Sequence, residues 1–210
     1  MDIDLIKNLH EYWIDPKSRE IWIHGVDLSG AEYVGEEPGV EYMMATRVIK
    51  NLHILLRQSK TKPVTIRMHT CGGVWEEGMA IYDAIKAMPF KTTIISHTHA
   101  RSMSSLILQA ADERLLLPNS CFMFHYGTLY LEGDAKSVYS NVDYTRKADE
   151  IMLDIYVENI QKSNSKKFKK WSEKKIRNYL KRMMDRKGDV YLTAQEAVEW
   201  GFADGIVEKF

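Results

Sequence analysis

Cysteine is scarce in this chain: Cys71 and Cys121 are the only two among 210 residues. Two cysteines cannot build a disulfide scaffold, and they show no metal-ligand spacing, so a reducing compartment is expected. Long apolar runs are missing as well. No stretch approaches the ~20 residues needed to span a bilayer, and Met1-Asp2-Ile3-Asp4 lacks the basic and apolar regions of a secretory signal. The expectation is a cytoplasmic protein with no membrane partner. Net charge is absent too, with 29 Lys and Arg against 29 Asp and Glu. The balance is uneven, however. From Lys162 to Lys187, twelve Lys and Arg stand against Glu173 and Asp185 alone. Such a stretch can meet nucleic acid or an acidic partner. Trp171, Ile176, Tyr179, Leu180 and Met183 recur at near-helical spacing within it, so the preferred reading is an amphipathic segment with a solvated basic face. No nucleic-acid partner is expected.

What the chain does have is a hydrophobic fraction of 45%, ordinary for a globular domain of this length, and an alternation of strand and helix signals. Residues 1–18 read as a polar, irregular arm with a short helix, and 19–210 as one domain. Glu20–Gly25 alternates as a strand, and 27–38 reads as a loop. Residues 40–58 carry an amphipathic helix, and Val64–Met68 a second strand. Thr70-Cys71-Gly72-Gly73 leads into a helix over 75–88, and Thr92–Ser96 forms a third strand. A short strand at 115–117 and a buried one at 121–125 precede a long polar helix over about 134–161. Thr193–Gly201 is a capped short helix, and Ile206–Glu208 a last strand. Such alternation predicts an α/β fold with a largely parallel sheet, its site at the carboxyl ends of the strands. No internal repeat or low-complexity linker appears.

Two strand-to-helix loops carry unusual residues. In the first, paired glycines let the backbone approach a ligand closely, and no Gly-Lys-Ser/Thr follows, which excludes a P-loop. In the second, His99-Ala100-Arg101-Ser102-Met103-Ser104-Ser105 sets a serine where a strand gives way to a helical pattern. Backbone N–H groups at such a junction can stabilise a developing oxyanion, although Ser at a helix start also serves as a plain N-cap. The surroundings are not Gly-x-Ser-x-Gly, so this is no ordinary nucleophile elbow. His125 in an apolar strand reads more often as a core residue, and Asp189 after Gly188 ordinarily as a turn residue. His97 and His99 could share one side of a strand, but no Cys or carboxylate stands at matching spacing, so no metal and no cofactor are expected.

Five segments in register carry a family resemblance: His69-Thr70-Cys71-Gly72-Gly73, Gly78-Met79-Ala80-Ile81-Tyr82-Asp83, Ala100-Arg101-Ser102-Met103-Ser104, Leu117-Pro118-Asn119-Ser120 followed by His125, and Asp189-Val190-Tyr191-Leu192-Thr193-Ala194-Gln195-Glu196-Ala197. Together they resemble the ClpP family, the proteolytic subunits of ATP-dependent Clp proteases, from about residue 20 to the C-terminus. The resemblance implies a ClpP/crotonase-like fold of repeated β-β-α units with a protruding handle helix at about 134–161. It implies a serine endopeptidase acting on unfolded chains, with Ser102 as nucleophile, His125 as general base and Asp189 orienting the imidazole. The N–H groups of Gly72 and Met103 would form the oxyanion hole, with Gly73 and Arg101 as neighbours of the substrate cleft. It further implies self-assembly into rings of seven or fourteen subunits fed by an AAA+ ATPase.

The departures are specific. Cys71 stands in place of a proline, His69 of an asparagine, and Ser104 of a glycine. Arg101 occupies a position where a small residue is usual and suggests a taste for acidic side chains in the cleft. Thr65 and Arg67 hold places where many relatives carry tyrosines that dock the ATPase. Arg186-Lys187-Gly188-Asp189 departs from the acidic-Arg-Asp signature that helps pair the rings. These features suit a divergent copy, accessory or phage-encoded, in a bacterial cytoplasm. A crotonase-like acyl-CoA enzyme, a low-activity modulatory ring subunit and a phage head-assembly peptidase stay open as alternatives.

Overall fold

A computed structural model describes residues 3–25 and 39–210. The loop expected over 27–38 lies outside the described residues. In chain order the elements are α1 (Ile3–Lys7), a π-helical turn (Asn8–Tyr12), β1 (Ile14–Asp15), β2 (Glu20–His24), α2 (Tyr42–Gln58), β3 (Val64–Thr70), α3 (Trp75–Lys86), β4 (Thr92–Arg101) and α4 (Met103–Leu108). They continue with β5 (Glu113–Leu116), β6 (Cys121–Phe124), α5 (Ala135–Lys162), α6 (Glu173–Lys187), β7 (Val190–Thr193), α7 (Ala194–Trp200) and β8 (Gly205–Ile206). The fold is α/β, as the alternating signals predict.

The sheet runs β1-β2-β3-β4-β5-β8, with β6 beside β4 and β7 beside β6. From β2 through β8 the neighbours on this path are parallel. Period-two burial sets its core face: Val64, Ile66, Met68 and Thr70 of β3 are buried while Thr65, Arg67 and His69 lie on the other side. Helices α2 and α3 place Met44, Val48, Leu52, Ile81 and Ile85 in the same core. The polar, irregular character expected of 1–18 stops short of its end. Trp13 and Ile14 are buried, and β1 adds an antiparallel edge strand to β2.

Two strand expectations need correction, and both bear on the site. The third strand does not end at Ser96; β4 continues to Arg101 by changing partner. Residues 93–96 pair with β5, and 99–101 pair with β6. At the changeover the Ser96 hydroxyl donates to the His99 carbonyl at 2.6 Å. The Ser120 hydroxyl meets the carbonyls of Ser96 and His97 at 3.0 and 3.1 Å. Side chains thus replace ladder bonds where the strand bends. The second correction is β7, absent from the sequence reading, whose four residues alternate buried and exposed against antiparallel β6.

Only the second half of α5 is anchored. Its buried residues begin at Ala148, so the first three turns stand clear of the core. The basic segment packs alongside. Helix α6 buries Ile176, Leu180 and Met184. Its Arg177 pairs with Glu150 at 2.8 Å and with Asp154, and Lys181 pairs with Glu150 at 2.5 Å. Part of the basic face is therefore matched to α5 rather than left to solvent. Among the described residues no helix is long and apolar enough to cross a membrane.

One ion pair with a buried cation ties β5 to the loop before β8. Arg114, 4% exposed, donates to both Asp204 carboxylate oxygens at 3.0 and 2.6 Å, and also to Gln109 and the Gly201 carbonyl. Removing the acid alone strands a buried guanidinium. Asp204→Ala should therefore lower unfolding stability by about 3 kcal/mol, read as a reduced urea midpoint with an unchanged slope.

Candidate active site

Three side chains meet because three adjacent strands end together. Arg101 closes β4 and pairs with Met123 of β6, and the Ser102 N–H donates to the Met123 carbonyl at 3.0 Å. Phe124 closes β6 opposite Val190, the first residue of β7. One step beyond each strand lie Ser102, His125 and Asp189. His125 Nε2 is 2.8 Å from Ser102 Oγ, and His125 Nδ1 is 3.0 Å from Asp189 Oδ1. The imidazole is mostly shielded, whereas the Asp189 side chain is 49% exposed. A hydroxyl held by an imidazole whose second nitrogen faces a carboxylate can be deprotonated as it attacks an electrophile.

Ser102 sits in a strained turn, with φ 51° and ψ −128°. A non-glycine residue there costs of order 1–3 kcal/mol and persists only where its surroundings over-determine it. The serines after it do that. The buried Ser104 hydroxyl accepts the Arg101 N–H at 2.9 Å and donates to the Arg101 carbonyl at 2.7 Å, clamping the residue before the turn. Ser105 donates to the Ser102 carbonyl at 2.5 Å and is itself bonded to the Tyr156 hydroxyl at 2.6 Å. Burial pushes that phenol well above its ordinary range. Ser104, a departure at the level of sequence, is thus a brace.

The glycine loop closes over this turn. Gly72 has φ +115°, and a Cβ there would lie 2.8 Å from both the Arg101 carbonyl oxygen and Ser102 Cβ and 3.0 Å from the Met103 nitrogen. Only glycine fits so near. The Val40 N–H donates to the Gly72 carbonyl at 2.5 Å, and the Val74 N–H donates to the Val40 carbonyl at 2.9 Å. This single bridge to Val40 leaves the Gly73 N–H on the side of the loop away from Val40. The sequence places that residue only among the neighbours of the cleft; the bridge makes it a further amide available to a ligand. Met103 begins α4, where its N–H is one of the unpaired first-turn donors.

These residues open into a cleft of about 540 Å³ that includes Cys71, Gly72, Gly73, Ser102, Met103, His125, Leu129 and Met152 in its lining. Arg101 does not belong to it. Its guanidinium turns to the opposite face of β4 and bonds His99 Nδ1 at 2.5 Å, because residues 99 and 101 share a side of the strand while Ala100 faces the core. Contrary to the expectation from sequence, Arg101 therefore does not set the charge of the cleft. His97 and His99 are engaged separately. His97 packs tilted against Trp22 at 5.4 Å, and burial lowers its pKa, with Arg67 and His69 adding to the effect. His99 stacks on His69 at 5.8 Å. Among the described residues no three His, Cys, Asp or Glu side chains gather as they would for a metal ion.

Comparison with known proteins places these observations in a lineage. The family model for Clp protease matches residues 32–210. The ATP-dependent Clp protease proteolytic subunit of Deinococcus radiodurans is 26% identical over 172 residues, which cover 81% of this chain and 77% of that protein.

Proposed function

Because the chain belongs to the Clp protease family, we propose that it is a serine endopeptidase of the ClpP type that hydrolyses peptide bonds of unfolded chains. The observation that carries this reading is the continuous hydrogen-bonded line from Ser102 Oγ through His125 to Asp189 Oδ1. In the reaction Ser102 Oγ attacks the scissile carbonyl while His125 Nε2 takes its proton. His125 then returns that proton to the leaving amine, and water repeats the cycle on the acyl-enzyme. Asp189 keeps the Nδ1 proton in place and stabilises the imidazolium. The tetrahedral oxygen is received by the Met103 N–H and by the amides of the Gly72-Gly73 loop.

A fluorophosphonate probe tests the reading directly. It should label the chain once, at Ser102, as mapped by mass spectrometry of the digested adduct; labelling elsewhere or none at all overturns the assignment. The glycine loop gives a second test. Gly72→Ala forces a Cβ against Ser102 and Met103, so kcat for a peptide substrate should fall about 10²–10³-fold, the usual cost of losing one oxyanion donor.

Assembly into a seven- or fourteen-membered ring and feeding by an AAA+ ATPase are part of the same proposal. Solution mass tests the ring. Arg67 is ion-paired to Glu20 at 2.8 Å and lies over Trp22 at 5.7 Å, so an ATPase docking there would meet a charged, aromatic surface rather than paired tyrosines.

A further inference from the structure

One face of α5 walls the cleft with Thr145, Ala148, Asp149, Met152 and Tyr156, spaced as neighbours along a helix. Val74, Leu106, Leu129 and Leu131 also line the cleft. Among the described lining residues Glu76 and Asp149 are the only Asp or Glu, and none is Lys or Arg. Glu76 is exposed at the rim, in the first turn of α3, whereas Asp149 is half-buried. The Gly127 N–H, two residues past His125, favours the charged form of the Asp149 carboxylate, and a carboxylate has several acceptor sites to offer.

We propose that Asp149, set in an otherwise apolar wall, makes this cleft select peptides that carry Lys or Arg beside the scissile bond. The inference rests on the peptidase reading and deepens it. Apolar walls suit the alkyl stem of a Lys or Arg side chain, and a fixed carboxylate receives its cationic head. An acidic side chain in the same place meets like charge in a partly desolvated site. Lys181, the lysine whose charge reaches Asp149, does not cancel this, because it is committed to Glu150 at 2.5 Å.

The test compares fluorogenic peptides that differ only in the residue before the scissile bond, Lys, Leu or Glu, with the full chain as enzyme. The expected order of kcat/KM is Lys, then Leu, then Glu. Asp149→Asn should cut the Lys-to-Glu ratio about tenfold, chiefly through a higher KM for the Lys peptide. A purely structural role for Asp149 would lower all three rates together and leave the ratio standing. Should the variant fail to fold, the unmodified protein still decides through pH. Burial holds the Asp149 carboxyl above the ordinary carboxylate range, with Glu150 adding to the rise and the Gly127 N–H, Lys181 and His125 opposing it. Tyr126, and in the cleft lining Glu76, Cys71, Tyr144 and Tyr156, are the other titratable groups around it. The Lys preference is present where Asp149 is ionised, so it should fade as pH falls through that raised value. For the pH arm the Lys-to-Leu ratio is read, because it removes the titration of His125, which both peptides share, and avoids that of the Glu peptide's own carboxyl. A Lys-to-Glu ratio near one or unchanged by Asp149→Asn, or a Lys-to-Leu ratio unchanged by acidification, overturns the selectivity while the Leu peptide is still cleaved. No cleavage of any peptide together with no labelling of Ser102 overturns the peptidase reading and this inference with it.

Discussion

Ser102→Ala should abolish peptide hydrolysis, with kcat falling by roughly 10⁶-fold. The substitution removes one oxygen from a side chain of which the strand end, the Ser104 clamp and the Ser105 bond hold the backbone, not the hydroxyl. The turn should therefore keep its shape, and thermal unfolding should change by no more than a few degrees. The measurement pairs peptide hydrolysis with fluorophosphonate labelling of the same samples. Loss of both with the melting curve retained assigns the chemistry to the hydroxyl. Hydrolysis that survives at even a hundredth of the original rate would mean another nucleophile and would sink the assignment.

Asp189→Asn is the second large effect, about 10⁴-fold in kcat. An asparagine can turn its amide N–H₂ toward His125 Nδ1, which moves the ring proton to Nε2. Nε2 then points a donor, not an acceptor, at Ser102 Oγ across the present 2.8 Å contact. The nucleophile keeps its position and loses its base. Because the Asp189 side chain is 49% exposed, the change should hardly touch stability. It should slow hydrolysis and phosphonate labelling in parallel, since both need the same proton transfer. A loss under tenfold would show that solvent, rather than the carboxylate, sets the imidazole tautomer.

The fold was legible where periodicity was strong and neighbours were local. The amphipathic pattern of 40–58 became α2, and the capped Thr193–Gly201 segment became α7, where the Thr193 and Glu196 side chains cap each other's backbone. The extension of β4 past Ser96 was hidden because His97-Thr98-His99 carries no apolar alternation. Its strand character comes from β6 and from the Ser96 and Ser120 hydroxyls, partners distant in sequence. Strand β7 was hidden for a related reason. Four residues after a basic helix carry little pattern of their own, and only pairing with β6 makes them a strand.

The sequence by itself determined which residue types are available for the site: a serine at a strand–helix junction, a histidine after a buried strand, an aspartate after a glycine and a glycine pair after another strand. Their order matched a family, and that match supplied the roles. Only the tertiary structure decided how they meet. The register of β4, β6 and β7 carries Ser102, His125 and Asp189 one step past three strand ends at the same edge of the sheet. Strand alternation also turned Arg101 away from the cleft, and helix packing set Asp149, far along the chain, into its wall. Side-chain direction follows from the pleat and from helix packing, and both are settled by contacts between segments that the linear order keeps apart.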